Sequence, residues 1–257
     1  MSEVKHTQRL SLDNPPIIEA IVDIDCDILP NLDFSKVETE ASEALMAEFP
    51  KVQRRMIHGH ELKQDGAEKM KLSIHQGLQA IQFRNSDGKQ LVQFRPTGYS
   101  FNRLAPYEGL DCYLQQIEKT WEVYTNIVKP ICIRKIGLRT INRILLPMPE
   151  GNLKLDDYLT TSPRLPPCQK LQFTGFFNQQ TAVDQLTKHN INITMAAQPP
   201  EDEKLPLILD IDAFSLNGNQ SLQWREISEV ISTLRELKDN VFKSLLTQKC
   251  LDLFTTH

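Results

Sequence analysis

Residues 222–246 lay one apolar stripe along an otherwise polar helix. Ile227, Val230, Ile231, Leu234, Leu237, Val241, Leu245 and Leu246 recur at helical spacing. A helix that is apolar on one side needs a surface to lie on, and so broad a stripe suits the face of a sheet. Trp224 and Phe242 fall off this stripe or at its edge, where exposure would mark a partner surface.

Strands for such a sheet are plentiful. Residues 17–28 alternate, with Ile18, Ala20, Val22, Ile24 and Cys26 on one face and Glu19, Asp23, Asp25 and Asp27 mostly on the other. A helix is expected over 36–49, with Ser35 as N-cap and Glu38 completing a capping box; Pro50 stops it. Strands follow at 52–63, 69–75, 77–83, 90–94 and 99–104, with Asp65-Gly66 and Asp87-Gly88 as hairpin turns. A second helix spans 110–128 and ends before Pro130. The order then repeats more loosely: a long strand at 131–146, a helical turn at 155–159, and strands at 170–177, 182–186, 191–196 and 205–214. Asn217-Gly218 turns the chain into the last helix.

This order predicts an α+β protein with antiparallel sheets packed on long helices. Two halves, 13–130 and 131–257, would pack as one globular unit. They are compatible with two tandem β-α-β(4)-α units, as in TATA-binding-protein-like or helix-grip folds. Hydrophobic residues make up 40% of the chain and charged residues 24%, enough apolar surface for a packed core. With 29 basic and 33 acidic side chains the net charge is −4, which disfavours non-specific nucleic-acid binding. Five scattered cysteines without a C-x-x-C pair read as reduced thiols. The polar leader lacks a signal-peptide core and no apolar run reaches membrane-spanning length, so a cytoplasmic protein is expected.

The most polar of the long strands is 136–144, Ile-Gly-Leu-Arg-Thr-Ile-Asn-Arg-Ile. Alternation puts Lys135, Arg139 and Arg143 on one face, and Ile136, Leu138, Thr140, Asn142 and Ile144 on the other. Cations four residues apart on a strand are ~13 Å apart, suited to an extended anionic partner or to separate ion pairs. Arg84 and Arg95 occupy neighbouring strands, each two residues after a glutamine, and Arg103 follows on the next. Arginine forks match carboxylate and phosphate oxygens. The plainer alternative is a solvated face whose arginines pair with aspartates. Arg103 with Asn102 could brace the loop into the middle helix, or Arg103 could join Arg139 and Asn142 in a pocket.

Metal-binding patterns are weaker. His58 and His60 share a strand face, with His75 as a third candidate ligand. Asp23 and Asp25, and Asp210 and Asp212, alternate on strands and could hold Mg²⁺ for phosphoester chemistry. No G-x-S-x-G, G-x-G-x-x-G or P-loop occurs, so no cofactor is expected. The leading expectation is a binding or interaction protein, rather than an enzyme, that offers an Arg-rich sheet face to an anionic ligand or protein partner. The alternatives are a metal-dependent phosphoesterase or nuclease using the aspartate pairs, and a carrier with an apolar cavity between sheet and long helix.

Four segments carry a resemblance. They are Pro15-Pro16-Ile17-Ile18-Glu19-Ala20, Phe101-Asn102-Arg103-Leu104-Ala105-Pro106-Tyr107, Gly137 through Ile144, and Leu234-Arg235 through Asn240-Val241-Phe242 to Leu246-Thr247. In that order the chain resembles a sporadically distributed family of uncharacterised prokaryotic proteins. Thr140 stands where the family tends to have tyrosine. The resemblance implies a bacterial or archaeal cytosolic protein and brings no catalytic residue or cofactor with it.

Overall fold

The alternation of residues 17–27 becomes the middle of the protein. A computed structural model describes residues 12–65, 69–149, 153–166, 174–216 and 221–255; of 58–65 and 69–76 only the strand pairing is described. The strands are β1 (Ile17–Asp27), β2 (Lys51–Asp65), β3 (Lys69–Arg84), β4 (Gln90–Arg95), β5 (Gly98–Leu104), β6 (Cys132–Pro147), β7 (Phe177–Val183), β8 (Asn190–Ala197) and β9 (Lys204–Ser215). The helices are α1 (Phe34–Leu45), α2 (Leu114–Val128), α3 (Trp224–Leu245) and the short α4 (Gln248–Leu251).

The described strands form one antiparallel sheet in the order β2-β3-β4-β5-β1-β6-β9-β8-β7. The expected separate sheets are therefore a single sheet, joined where β1 pairs with β6. On each side of that seam the last strand of a half returns beside its first: β5 lies on β1, and β9 on β6.

One face carries the helices. Ala20, Val22, Ile24 and Cys26 of β1 are buried there, with Tyr99 and Phe101 of β5 and Leu207, Leu209, Ile211 and Ala213 of β9. On one half, α2 adds Ile117, Trp121 and Tyr124; on the other, α3 adds Ile227, Ile231 and Leu234. Aromatic rings dominate the α2 side, with Phe94 edge-on to Tyr124 at 5.1 Å between centroids. α1 packs on α2 through Val37, Ala41 and Leu45. Among the described residues no helix is long and apolar enough to cross a membrane.

Several local expectations change. The cap of α1 is Asp33, which accepts from the Ser35 amide at 2.9 Å; Ser35 lies inside the helix, and Glu38 pairs with Arg54 instead of closing a box. The expected break at Gln76 is absent, because β3 runs through it paired to His58 of β2. Residues 170–173 and the Asn217-Gly218 turn lie outside the described residues. The strand expected at 182–186 is β7 at Phe177–Val183, since Asp184 accepts from both Thr187 N and Thr187 Oγ1 and turns the chain. On α3 the line Ile227, Ile231, Leu234, Lys238, Phe242, Leu245 is the buried one, so Phe242 faces inward and Trp224 packs half-buried on the core. Cys26, Cys112, Cys132 and Cys250 are free thiols, and burial pushes those of Cys26 and Cys250 up to about 12.

Candidate functional site

The open face of the sheet collects the charged rows. Arg139 forks onto Asp210, with Nε to Oδ1 at 2.8 Å and Nη2 to Oδ2 at 2.5 Å. Arg143 reaches Glu201 at 2.6 Å and Gln198 at 3.3 Å. Arg95 sits between Asp23 at 2.6 Å and Asp25 at 3.1 Å. Lys135 lies 3.9 Å from Asp23, 4.0 Å from Asp212 and 4.8 Å from the Phe214 ring centroid. Gln82, Gln93, Asn102 and Glu19 form a hydrogen-bonded chain across four strands, from β3 to β1. Arg84 stands half-buried at the end of β3, in register with Leu91.

Here the cations Arg95, Lys135, Arg139 and Arg143 meet Asp23, Asp25, Asp210, Asp212 and Glu201. A shallow cleft of about 260 Å³ beside them is lined by Arg55, Arg95, Lys135, Arg139, Asp23 and Asp212 among others. An external anion would have to compete with carboxylates already in place. The same pairing occupies the aspartates considered as metal ligands. Among the described residues no group of three or more His, Cys, Asp or Glu could hold a metal ion; the side chains of His58, His60 and His75 fall outside them.

Burial raises the Asp23 and Asp212 carboxyls above their ordinary value, by more than the nearby cations lower them. A carboxyl that binds its proton more tightly when folded contributes stability below its unfolded pKa of about 3.8. That contribution is lost as pH rises through the higher folded pKa. Asp212→Asn is therefore expected to gain on the parent protein between about pH 4 and pH 7. Urea midpoints at the two pH values measure this, and a gap that stays constant or narrows would contradict it.

The strand's alternation separates the other candidates. Asn142 and Arg103 point to the helix face, so they do not converge with Arg139 and Arg143. A three-residue step along a strand reverses the side, which excludes the pocket expected from Arg139 and Asn142. Arg103 donates to the Pro106 carbonyl at 3.1 Å and lies 5.0 Å from the Tyr113 ring centroid, bracing the entry to α2. Among the described residues its Nε is buried without a partner.

Asn142 borders a cavity of about 370 Å³ between β6 and α3, within the size range of small-molecule sites. The floor is Leu138, Thr140 and Asn142; the roof is Arg235, Lys238, Asp239 and Phe242. Residues 107–112 form one side, and Leu12, Pro15, Pro16 and Ile17 the other. Thr140 and Asn142 are 2% and 1% exposed, so short polar side chains stand where the flanking positions Ile144 and Ile136 are aliphatic. The Asn142 amide donates to the Leu209 carbonyl at 2.9 Å, tying the floor to β9.

Lys238 was not singled out from the sequence, although its signal was there. It falls four residues after Leu234 and four before Phe242, inside the line that faces the sheet. Its side chain is 10% exposed, and desolvating an ammonium costs several kcal/mol unless it is paired. Asp239 pairs with it at 2.5 Å, and Arg235 bonds Asp111 at 2.8 Å while standing 3.9 Å from Asp239. Burial pushes the Tyr107 hydroxyl well above the usual tyrosine range.

Fold and cavity together describe an antiparallel α+β protein with an amphipathic chamber under its longest helix. No family model matches the chain, and no curated protein matches it either.

Proposed function

We propose that the chain binds a small organic molecule in the chamber between β6 and α3. The observation that carries this reading is the chamber's wall. At the sheet–helix contact, Thr140, Asn142 and Lys238 are all buried around about 370 Å³ of space, beside the apolar Leu110, Leu138 and Phe242. A mostly apolar lining with a few placed polar groups is the general form of a ligand site. The open face supports an anion reading less well, because Arg95, Arg139 and Arg143 are each already engaged by two acceptor atoms, whereas Lys238 meets one carboxylate.

We also read the halves as tandem β-α-β(4)-α units of the TATA-binding-protein-like or helix-grip kind. The matching returns of β5 to β1 and β9 to β6 support this. Among the described residues the second copy has the 3₁₀ turn Leu155–Asp157 where the first has α1, and the three strands β7 to β9 where the first has the four strands β2 to β5.

The test uses N-phenyl-1-naphthylamine, an uncharged apolar fluorophore. The parent protein is expected to bind it saturably, one per chain. Thr140→Phe from the floor, or Phe242→Trp from the roof, should abolish binding while far-UV circular dichroism stays native. Absence of saturable binding, or equal binding by the folded cavity-filling variants, would refute the reading.

A further inference from the structure

We propose that Lys238 anchors the carboxylate of a ligand with an apolar body, sharing its ammonium between that carboxylate and Asp239. This rests on the chamber being a ligand site and specifies what enters it. Lys238 occupies the buried line of α3, with Leu234 one turn before it and Phe242 one turn after. At that position an apolar side chain would satisfy packing alone, so a lysine needs a further reason.

The partner of Lys238 in the structure is its own sequence neighbour, Asp239. Consecutive residues on a helix point about 100° apart and do not face each other. The lysine therefore has to lean sideways along the helix to make that contact. An ammonium has three donors, and a single carboxylate leaves capacity for another acceptor. Asp239 keeps Arg235 at 3.9 Å, so its charge stays partly compensated when the lysine is shared.

The surroundings restrict the ligand. Leu138, Leu110 and Phe242 are buried apolar walls beside Lys238, and Thr140 sets a hydroxyl on the facing floor. A head group with one negative charge meets a donor from each side. The rim carries exposed Glu108, which repels a second negative charge, while Asp111 there is held by Arg235 at 2.8 Å. The chemistry that fits is a monocarboxylate on a compact hydrocarbon body, in preference to a phosphate ester, an amine or an alcohol of the same length.

Octanoate, octyl phosphate, octylamine and octanol are the probes, each competed against N-phenyl-1-naphthylamine and each titrated directly by calorimetry. The parent protein should bind octanoate at least ~10-fold more tightly than the other three. Lys238→Met should lose that preference and bind octanoate no more tightly than octanol, while Lys238→Arg should retain most of it. If the fluorophore binds but octanoate shows no advantage, or keeps it in Lys238→Met, the anchor is refuted and the chamber stands. If neither the fluorophore nor octanoate binds, the chamber reading fails and the anchor with it. Should Lys238→Met not fold, Lys238→Gln gives the same readout.

Discussion

Gly98→Ala is expected to stop the protein from folding to its native sheet, with a loss above ~4 kcal/mol. Gly98 opens β5 at φ +146°, in register with Asp25 of β1 and Arg95 of β4. A Cβ there would lie 2.0 Å from the Ile24 carbonyl oxygen, 2.8 Å from Asp25 Cα and 3.0 Å from the Ile24 carbonyl carbon. All three are backbone atoms of β1, which is hydrogen-bonded on both sides, to β5 and to β6. Neither side-chain rotation nor strand displacement relieves the clash without opening the middle of the sheet. The positive φ adds strain for any residue with a Cβ. Gly88, at φ +75° in the β3–β4 turn, has nothing within 4 Å of such a Cβ. Gly88→Ala should therefore cost only about 1 kcal/mol. Soluble yield and guanidinium midpoints compare the two variants. A Gly98→Ala protein as stable as Gly88→Ala would show that the close approach of β5 to β1 is wrong.

Trp121→Ala should cost about 3–5 kcal/mol, the usual range for removing a large buried aromatic. Trp121 is 1% exposed, edge-on to Tyr99 at 5.5 Å and stacked on Tyr124 at 5.4 Å between centroids. Its Nε1 donates to the Leu222 carbonyl at 3.2 Å, which links α2 to the segment entering α3. The substitution removes the ring and leaves that carbonyl without its donor, so cavity and hydrogen-bond losses add. Trp121→Phe keeps part of the packing and is expected to lose roughly half as much. Equilibrium urea unfolding followed by far-UV circular dichroism measures both. A Trp121→Ala loss under about 1 kcal/mol would mean that the aromatic cluster is not part of the stable core.

Legibility in the chain followed the range of the interactions involved. The two faces of β6 and the buried face of β1 from Ala20 to Cys26 could be read directly, because alternation is enforced by the pleat of each strand. Ile18, expected on the same face, is instead exposed at the irregular start of β1. α2 was placed to within a few residues, since Pro130 and the spacing of Ile117, Trp121 and Tyr124 act within a few turns. The cap of α1 was misplaced by two residues: Asp33 and Ser35 are both good caps, and the helix start decides between them. The candidate site was half visible. Asn142 was named for being polar in an aliphatic strand, whereas Lys238 passed as one polar residue on a helix that has many.

Taken alone, the amino-acid sequence determined the α+β class, the basic face of β6 and the amphipathic nature of the last helix. Each follows from backbone periodicity and the water-avoidance of nearby side chains. Tertiary structure alone decided that β1 and β6 join the halves into one sheet, because strand pairing depends on contacts far apart along the chain. It also decided which carboxylate each arginine holds, as with Arg139 and Asp210 from β6 and β9. The chamber under α3 likewise exists only once 12–17, 107–112, β6 and α3 meet, since the space between elements belongs to none of them.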